Sequence, residues 1–277
     1  MTEQTRVLVT GASGFIAKHI VLSLVQRGYA VRGTVRSDAK ADEIRRTLRD
    51  QGADEGRFEH RLADLSRDEG WEEAARDCRF VLHTASPFPA SQPRDKQALV
   101  PPARGGTLRV IEAAERAGTR RLVLTSSVAS VGYGHGGRGR VHFGEKTFSN
   151  VDSDEISPYA VSKTEAERAA WDRVRTSPIQ LATINPALVL GPVLDATLGT
   201  SATLVSLMMR GRLPALPDLA FGVVDVRDVA EAHIRAMDHP DASGRRFLLS
   251  AGNLRLLQIA DVIRRAHPDR SGSLPRF

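Results

Sequence analysis

The sequence predicts an α/β fold, with a doubly wound and mostly parallel sheet followed by a smaller region. Up to about residue 190, short runs rich in β-branched residues alternate with longer segments of helical periodicity, a rhythm typical of βαβ units. A length of 277 residues is also sufficient for one large domain with a substantial core. The strand candidates are, in order, Arg6–Thr10, Ala30–Val35, Arg57–Leu62, Phe80–His83, Arg121–Ser126 and Gln180–Ile184.

An amphipathic helix follows the first strand candidate. Ile16 and Ile20 recur at helical spacing and are predicted to face the core. Lys18 and His19 fall on the opposite, polar side of the same helix. Gly28 stands where a glycine commonly ends a helix, so we expect the helix to end there.

The turn between this strand and this helix is rich in glycine, which is the context that a phosphate-binding turn requires. Gly11 can adopt a tight strand-to-helix turn, and Gly14 allows the backbone to approach a diphosphate closely. The amides of the first helical turn and the helix dipole complete an anion site. Ala17 stands where a third glycine often occurs, and its side chain is still small. The turn therefore predicts a Rossmann-type, dinucleotide-binding sheet.

The end of the second strand candidate indicates which dinucleotide is bound. NAD-binding proteins usually carry an acidic residue there for the ribose hydroxyls, whereas this chain has Arg36, with Lys40 about one helical turn later. A guanidinium and an ammonium suit the 2′-phosphate of NADPH or NADP+. Asp64 follows the third strand candidate and could accept the adenine amino group. The alternatives are two ordinary surface cations and, for Asp64, a turn or helix cap.

A Tyr-x-x-x-Lys pair opens a long predicted helix. Ser157 suits the N-cap and Pro158 the first helical position, which places Tyr159 and Lys163 on one face. Reduction of a carbonyl by hydride requires a proton at the developing alkoxide, and a phenol can supply it when a nearby ammonium lowers its pKa. Taken alone, the pair could also be an ordinary helix face.

Ser127, at the end of the fifth strand candidate, is predicted to be the third member of this set. Ligands bind at the carboxyl ends of parallel strands, where a hydroxyl could hold the carbonyl oxygen. We favour Ser127 over Ser126 as this donor, and Ser126 is the alternative, since a shift of one residue moves a side chain to the other face of a strand. The glycine turn, the serine and the Tyr/Lys pair, in this order, predict an enzyme that reduces a small-molecule carbonyl substrate.

Beyond Pro186 the alternation loosens, and prolines and glycines interrupt the helical pieces. We divide the chain into a dinucleotide-binding domain, residues 1–186, and a smaller substrate-binding region, residues 187–277, which is partly interleaved with it. The segments 131–133 and 204–209 are candidates for the substrate pocket. They offer apolar and small residues without a cluster of cations, which favours uncharged substrates with apolar or aromatic substituents.

Composition excludes several other classes of function. The net charge of +6 and the pI near 10.0 could suggest binding to nucleic acid. The basic residues, however, are spread along the chain without interleaved aromatic residues. We therefore expect no nucleic-acid partner. The sequence contains no apolar stretch of membrane-spanning length and begins MTEQTR directly before the first strand candidate, so we expect a cytoplasmic protein without a membrane role. The single cysteine, Cys78, predicts neither a disulfide nor a metal site. A monomer or a homodimer is expected.

Together these motifs resemble the extended short-chain dehydrogenase/reductase superfamily, and within it the branch of dihydroflavonol reductases, cinnamoyl-CoA reductases and NADPH-dependent aldehyde or methylglyoxal reductases. The matching segments are Gly11 to Ala17, Arg36 with Lys40, Asp64 and Leu65, Val81 to Pro87, Thr125 to Ser127, Tyr159 to Lys163 with Trp171, and Asn185 to Pro192. The resemblance implies NADPH-dependent reduction of an aldehyde or ketone, with Ser127, Tyr159 and Lys163 as catalytic residues. The residues that it implies for NADPH binding are Gly11, Ala12, Ser13, Gly14, Phe15, Ile16, Arg36, Lys40, Asp64, Leu65, Ala85, Tyr159, Lys163, Pro186, Val189 and Ser201.

Three alternatives share parts of this pattern. A sugar-nucleotide epimerase or dehydratase has the fold and the Tyr/Lys pair but keeps NAD bound, and Arg36 with Lys40 argues against NAD. A 3β-hydroxysteroid dehydrogenase is a second alternative. A noncatalytic NADP(H) sensor or scaffold is the third, and the intact catalytic set argues against it. A flavonoid substrate is not expected, because Gly132 replaces the asparagine that commonly follows the catalytic serine by five positions in the plant enzymes.

Overall fold

The structure is a computed structural model that describes residues 5–87, 93–136, 141–196, 199–213 and 215–268. These residues form ten strands: β1 (Arg6–Thr10), β2 (Ala30–Val35), β3 (Phe58–Leu62), β4 (Phe80–His83), β5 (Arg121–Thr125), β6 (Gln180–Pro186), β7 (Leu188–Leu190), β8 (Ala220–Asp225), β9 (Arg246–Leu249) and β10 (Gly252–Arg255). They also form eight α-helices: α1 (Phe15–Gln26), α2 (Asp38–Asp50), α3 (Trp71–Ala75), α4 (Val100–Arg116), α5 (Pro158–Val174), α6 (Thr200–Met209), α7 (Val226–Asp238) and α8 (Leu256–Ala266).

The larger sheet has the strand order β3-β2-β1-β4-β5-β6-β9, and all neighbouring strands in it are parallel. The direction in which successive strands are added reverses between β1 and β4. In open α/β sheets, ligands bind beyond the carboxyl ends of the strands at such a reversal. The predicted Rossmann-type α/β fold is therefore confirmed.

All six predicted strands are present, with small differences at their ends. β3 begins one residue later than predicted, because Glu55–Arg57 form a 3-10 turn. β5 ends at Thr125, and β6 continues to Pro186. Strand ends depend on hydrogen-bond partners in neighbouring strands, which periodicity does not reveal.

Helices bury both faces of the larger sheet. In β1, Val7 and Val9 belong to the apolar cluster that includes α1, α2 and α7, whereas Leu8 belongs to the cluster that includes α3, α4 and α5. Successive side chains of a strand point to opposite faces, so a strand covered on both sides needs apolar residues throughout. This explains why β1 is almost uniformly apolar.

The smaller sheet has the order β10-β8-β7, with β7 parallel and β10 antiparallel to β8. Met208 of α6 packs there with Leu256, Ile259 and Ile263 of α8, forming a separate small core. After Pro186 the chain also returns to the larger sheet. There α7 packs against α1, and β9 pairs with β6. Among the described helices, none combines the length and the apolar character that crossing a membrane requires.

Lys18 and His19 are buried, which corrects their predicted location on the polar side of α1. Each is only 5% exposed. Lys18 forms an ion pair with Asp195, and Nε2 of His19 lies 3.0 Å from the carbonyl oxygen of Pro192. Helical periodicity describes one helix in isolation, whereas here a segment more than 170 residues away in sequence covers the polar side.

Candidate active site

Two cavities adjoin at the glycine turn, at the carboxyl ends of β1 and β4. Their volumes are about 540 Å³ and 590 Å³, and Gly14, Thr84 and Ser86 line both of them. We call the first the catalytic cavity, because it reaches α5, and the second the adenosine cavity, because it reaches the end of β2. A larger cavity of about 710 Å³, between α7 and β9, contains none of the predicted site residues.

The glycine turn has the geometry of an anion site. Gly11 has φ +63°, and a Cβ there would lie 3.0 Å from the Cα of Ala85, so only glycine fits without strain. The amide of Gly11 donates to Oγ1 of Thr34 at 2.9 Å, which fixes the turn against β2. Gly14 is the N-cap of α1, and no side chain of the described residues caps this helix end. The first-turn amides and the helix dipole are therefore available to a diphosphate.

The adenosine cavity collects most residues predicted for the far end of the dinucleotide. They are Gly11, Ser13, Gly14, Arg36, Asp64, Leu65 and Ala85. Oδ1 of Asp64 accepts hydrogen bonds from the hydroxyl and the amide of Ser66, at 2.6 and 2.8 Å. These bonds, with a smaller contribution from Arg36, hold the pKa of Asp64 below its usual range. Asp64 is thus a turn residue that also borders the cavity.

Lys40 does not line the adenosine cavity. Its Nζ lies 2.8 and 2.9 Å from the two carboxylate oxygens of Glu43, three residues later on α2. Its charge is therefore already paired on the surface of its own helix. Sequence spacing placed Lys40 one turn from Arg36 but could not show that Glu43 competes for it.

Ser127, Tyr159 and Lys163 meet in the catalytic cavity. Ser157 caps α5 by accepting from the amide of Ala160 at 3.2 Å, with Pro158 at the first helical position. The Tyr159 hydroxyl is hydrogen-bonded to the Ser127 side chain. The hydroxyl of Ser126 points elsewhere, lying 2.5 Å from Oε2 of Glu167. Of the two serines, only Ser127 shares a hydrogen bond with Tyr159 in this structure.

Tyr159 and Lys163, two ionisable groups of α5, are affected mainly by burial. Burial raises the pKa of Tyr159, while the Ser127 hydrogen bond opposes this and Tyr133 adds to it. Burial lowers the pKa of Lys163 to about 8, and Glu167 opposes the decrease. The Lys163 ammonium donates to the carbonyl oxygen of Thr125 at 2.9 Å. This differs from the expectation that Lys163 lowers the Tyr159 pKa, because here the ammonium is held by β5.

His83, at the end of β4, is buried and lines neither of the two cavities, although it lies near the candidate site. Its Nδ1 lies 2.7 Å from Oγ1 of Thr10, which also accepts from the amide of Ala85 at 3.1 Å. Burial, with a smaller effect from Lys163, lowers the pKa of His83 to about 3. His83 is consequently neutral, and Lys163 is not faced by a second cation from β4.

The remaining wall of the catalytic cavity comes from the end of β6, from β7, from the start of α6 and from β8. Pro186, Val189 and Ser201, which are expected from the resemblance to bind NADPH, line it together with Phe221. The segment 204–209 does not line it, because its apolar side chains pack against α8 in the small core. Of the other predicted pocket segment, 131–133, the lining includes only Tyr133. The choice between pocket and core depends on α8, which the local sequence does not reveal.

Comparison with known proteins gives a consistent result. Residues 7–250 match the NAD dependent epimerase/dehydratase family. A cinnamoyl-CoA reductase of Medicago truncatula is 40% identical over 93% of this chain and 78% of its own length. A putative NADPH-dependent methylglyoxal reductase of Candida albicans is 32% identical over 100% of this chain and 87% of its own. The crystal structure of the yeast methylglyoxal/isovaleraldehyde reductase Gre2, complexed with NADPH, aligns with a TM-score of 0.86 at 30% identity, covering 98% of this chain and 85% of that one.

Proposed function

Because this chain belongs to the NAD dependent epimerase/dehydratase family and its relatives include NADPH-dependent reductases, we propose that it reduces an aldehyde or ketone to an alcohol with NADPH. The resemblance to the extended short-chain dehydrogenase/reductases is confirmed, and the protein is an NADPH-dependent reductase. The observation that carries the proposal is the presence of Ser127, Tyr159 and Lys163 on one cavity, which adjoins the glycine turn.

NADPH, when bound, supplies the hydride. The uncapped start of α1 would hold its diphosphate through the amides of residues 14–16. Arg36, at the end of the adenosine cavity, would bind the 2′-phosphate, and Lys40 would assist it on leaving Glu43. Asp64, Leu65 and Ala85 would border the adenosine.

Tyr159 would donate the proton. The phenol is protonated at neutral pH, which is the state a general acid needs, but its raised pKa opposes release of the proton, so the phenolate must be stabilised as it forms. Ser127, hydrogen-bonded to Tyr159, would hold the carbonyl oxygen while the hydride adds to the carbonyl carbon. Lys163, with a pKa of about 8, is mostly an ammonium at pH 7 and, on leaving the carbonyl oxygen of Thr125, would stabilise the phenolate that remains. One hydride and one proton convert the carbonyl into the alcohol.

Pro186, Val189 and Ser201 would bind the nicotinamide end, since they line the catalytic cavity. The substrate itself would be uncharged, with apolar or aromatic substituents. Among the described lining residues Lys163 is the only charged one, while Leu188 and Phe221 are apolar. A cavity of this kind offers little for the phosphates of a sugar nucleotide.

The proposal is tested by following NADPH oxidation with aliphatic, aromatic and α-keto carbonyls, with sugar nucleotides as the comparison. We expect the highest kcat/KM for an uncharged aldehyde or ketone. Turnover of a sugar nucleotide that exceeds every simple carbonyl would contradict the substrate class. An absence of NADPH oxidation with all carbonyls would contradict the reaction itself.

A further inference from the structure

One carboxylate behind the catalytic cavity has no role in the steps above. Glu167 follows Lys163 by four residues on α5, so Tyr159, Lys163 and Glu167 lie on one side of the helix. Glu167 is 0% exposed. A carboxylate removed from water in this way is retained only when it is paired and hydrogen-bonded.

Glu167 has such partners on three elements. Nε of Arg246, on β9, donates to its Oε1 at 2.6 Å. Oε2 lies 2.6 Å from the hydroxyl of Ser130 and accepts from Nδ2 of Asn185 at 2.9 Å. Burial opposes ionisation of Glu167, but the hydrogen bonds from Arg246 and the serines outweigh it and hold the pKa below its usual range. Glu167 and Arg246 therefore form a buried ion pair.

Two of these partners also hold the backbone of Ser127. The carbonyl oxygen of Ser127 lies 2.8 Å from the Ser130 hydroxyl and 3.2 Å from Nδ2 of Asn185. The amide of Ser130 donates to the same oxygen at 3.0 Å. Because the Ser130 hydroxyl has one proton, it is shared between Ser127 and Glu167. The position of Ser127 is thus linked to the carboxylate through side chains that contact both.

Arg246 extends the same connection to the loop that borders the catalytic cavity. It donates to the carbonyl oxygens of Glu145, at 3.0 Å, and Thr147, at 2.5 Å. Two residues beyond Thr147, Oγ of Ser149 accepts from the amide of Tyr133 at 2.8 Å. Tyr133 lines the catalytic cavity. The guanidinium therefore ties one wall of this cavity to α5.

We propose that Glu167 and Arg246 act as a positioning pair for the reaction, holding Ser127, the α5 helix and Tyr133 in one fixed arrangement. This inference rests on the proposed catalytic roles of Ser127 and Lys163. Neither member of the pair contacts the reacting atoms, so the effect on the reaction passes through the residues that they hold.

The pair also affects the charge of Lys163. The groups that face Lys163 are Glu167 and Tyr159 on α5 and the neutral His83 from β4. Burial lowers the pKa of Lys163, and the Glu167 carboxylate is what opposes it. Removing that negative charge should therefore make Lys163 lose its proton at a lower pH.

The test is Glu167→Gln, which keeps the size of the side chain and removes its charge. We expect kcat with the best carbonyl substrate to fall at least about tenfold, while KM for NADPH changes less than about twofold. The alkaline limb of the kcat profile should move to lower pH. An unpaired Arg246 could prevent Glu167→Gln from folding. The double variant Glu167→Gln/Arg246→Gln is then used, because it leaves neither charge of the pair buried without its partner. Its alkaline limb should also move to lower pH, but by a smaller amount.

Glu115→Gln is the matched control, because Glu115 on α4 pairs with Arg173 of α5 away from Ser127 and Lys163. It should leave kcat and the alkaline limb unchanged. A folded Glu167→Gln enzyme with wild-type kcat and pH profile, or one indistinguishable from Glu115→Gln, would overturn the proposal. Tyr159→Phe is measured in parallel. If Tyr159→Phe loses turnover and Glu167→Gln does not, only the positioning pair is overturned. If Tyr159→Phe keeps wild-type turnover, the proposed function is overturned.

Discussion

Replacement of Arg36 by alanine should convert a strong preference for NADPH into a weak one. Arg36 lines the adenosine cavity at the end of β2 and is exposed, so its removal leaves no hole in the core. The phosphate that it would bind is present in NADPH and absent from NADH. The loss should therefore appear with NADPH and spare NADH.

The structure determines how large this effect should be. One charge-assisted contact to a phosphate contributes roughly 1.5 to 3 kcal/mol, and each 1.4 kcal/mol is a factor of about ten. Lys40 is already paired with Glu43, so most of the preference should come from Arg36 alone. We expect Arg36→Ala to lower kcat/KM for NADPH by about ten- to a hundredfold. Lys40→Ala should have a smaller effect, because its ammonium must first leave Glu43.

The assay is the steady-state rate with each cofactor at saturating carbonyl substrate. Arg46→Ala is the control, because Arg46 is an exposed arginine of α2 outside the lining of the adenosine cavity. It should leave the NADPH/NADH ratio unchanged. Equal losses with both cofactors in Arg36→Ala would mean that Arg36 supports the fold or contacts the adenine, and the assignment to the 2′-phosphate would fail.

Three further predictions concern two residues of the catalytic cavity and two buried histidines. Tyr159→Phe should lower kcat by about a hundredfold or more and leave NADPH affinity, measured by fluorescence titration, nearly unchanged. Tyr29→Phe is the control, because Tyr29 lines neither of these two cavities. Turnover of Tyr159→Phe within a few fold of wild type would refute the proton-donor role. Because the pKa of Lys163 is about 8, kcat should decline as pH rises through that value, and a rate that is flat to pH 10 would contradict the need for its ammonium. Burial holds the pKa of His83 at about 3 and of His233 at about 4, below the value of 6.5 for an exposed histidine. As pH falls below 6.5, the unfolded chain therefore binds more protons than the folded protein does. The free energy of unfolding, measured in urea, should be lower at pH 5 than at neutral pH by about 2 kcal/mol per histidine. His83→Asn should reduce this pH dependence, and an unchanged dependence would refute the assignment to His83.

Much of the fold was predictable because its signals are local. β1, β2 and β4 have the predicted ends, and Gly28, with φ +85°, follows the end of α1 as expected. Apolar periodicity and the glycine turn act within a few residues of each other, so a single sequence contains them. The pattern failed for Lys18 and His19, whose partners, Asp195 and Pro192, come from a distant segment.

The residue types of the candidate site could be proposed from the sequence, whereas their geometry could not. Sequence order identified Ser127, Tyr159 and Lys163, and the structure brings their side chains to one cavity. It could not show that Lys40 pairs with Glu43, or that the Lys163 ammonium donates to Thr125. Which partner an ammonium group binds depends on the distances between side chains in the folded protein, and these are not apparent from the sequence.

The sequence by itself determined the α/β class, and it predicted the glycine turn and the candidate catalytic side chains, because each of these signals lies in residues adjacent in the chain or one helical turn apart. Only the tertiary structure decided which groups are buried and therefore how they ionise. Glu167 and Arg246 are 79 residues apart, yet together they lie 0% and 7% exposed behind Ser127. Burial removes water from a charge and makes its nearest partner decisive, and neither burial nor partner is written in local sequence.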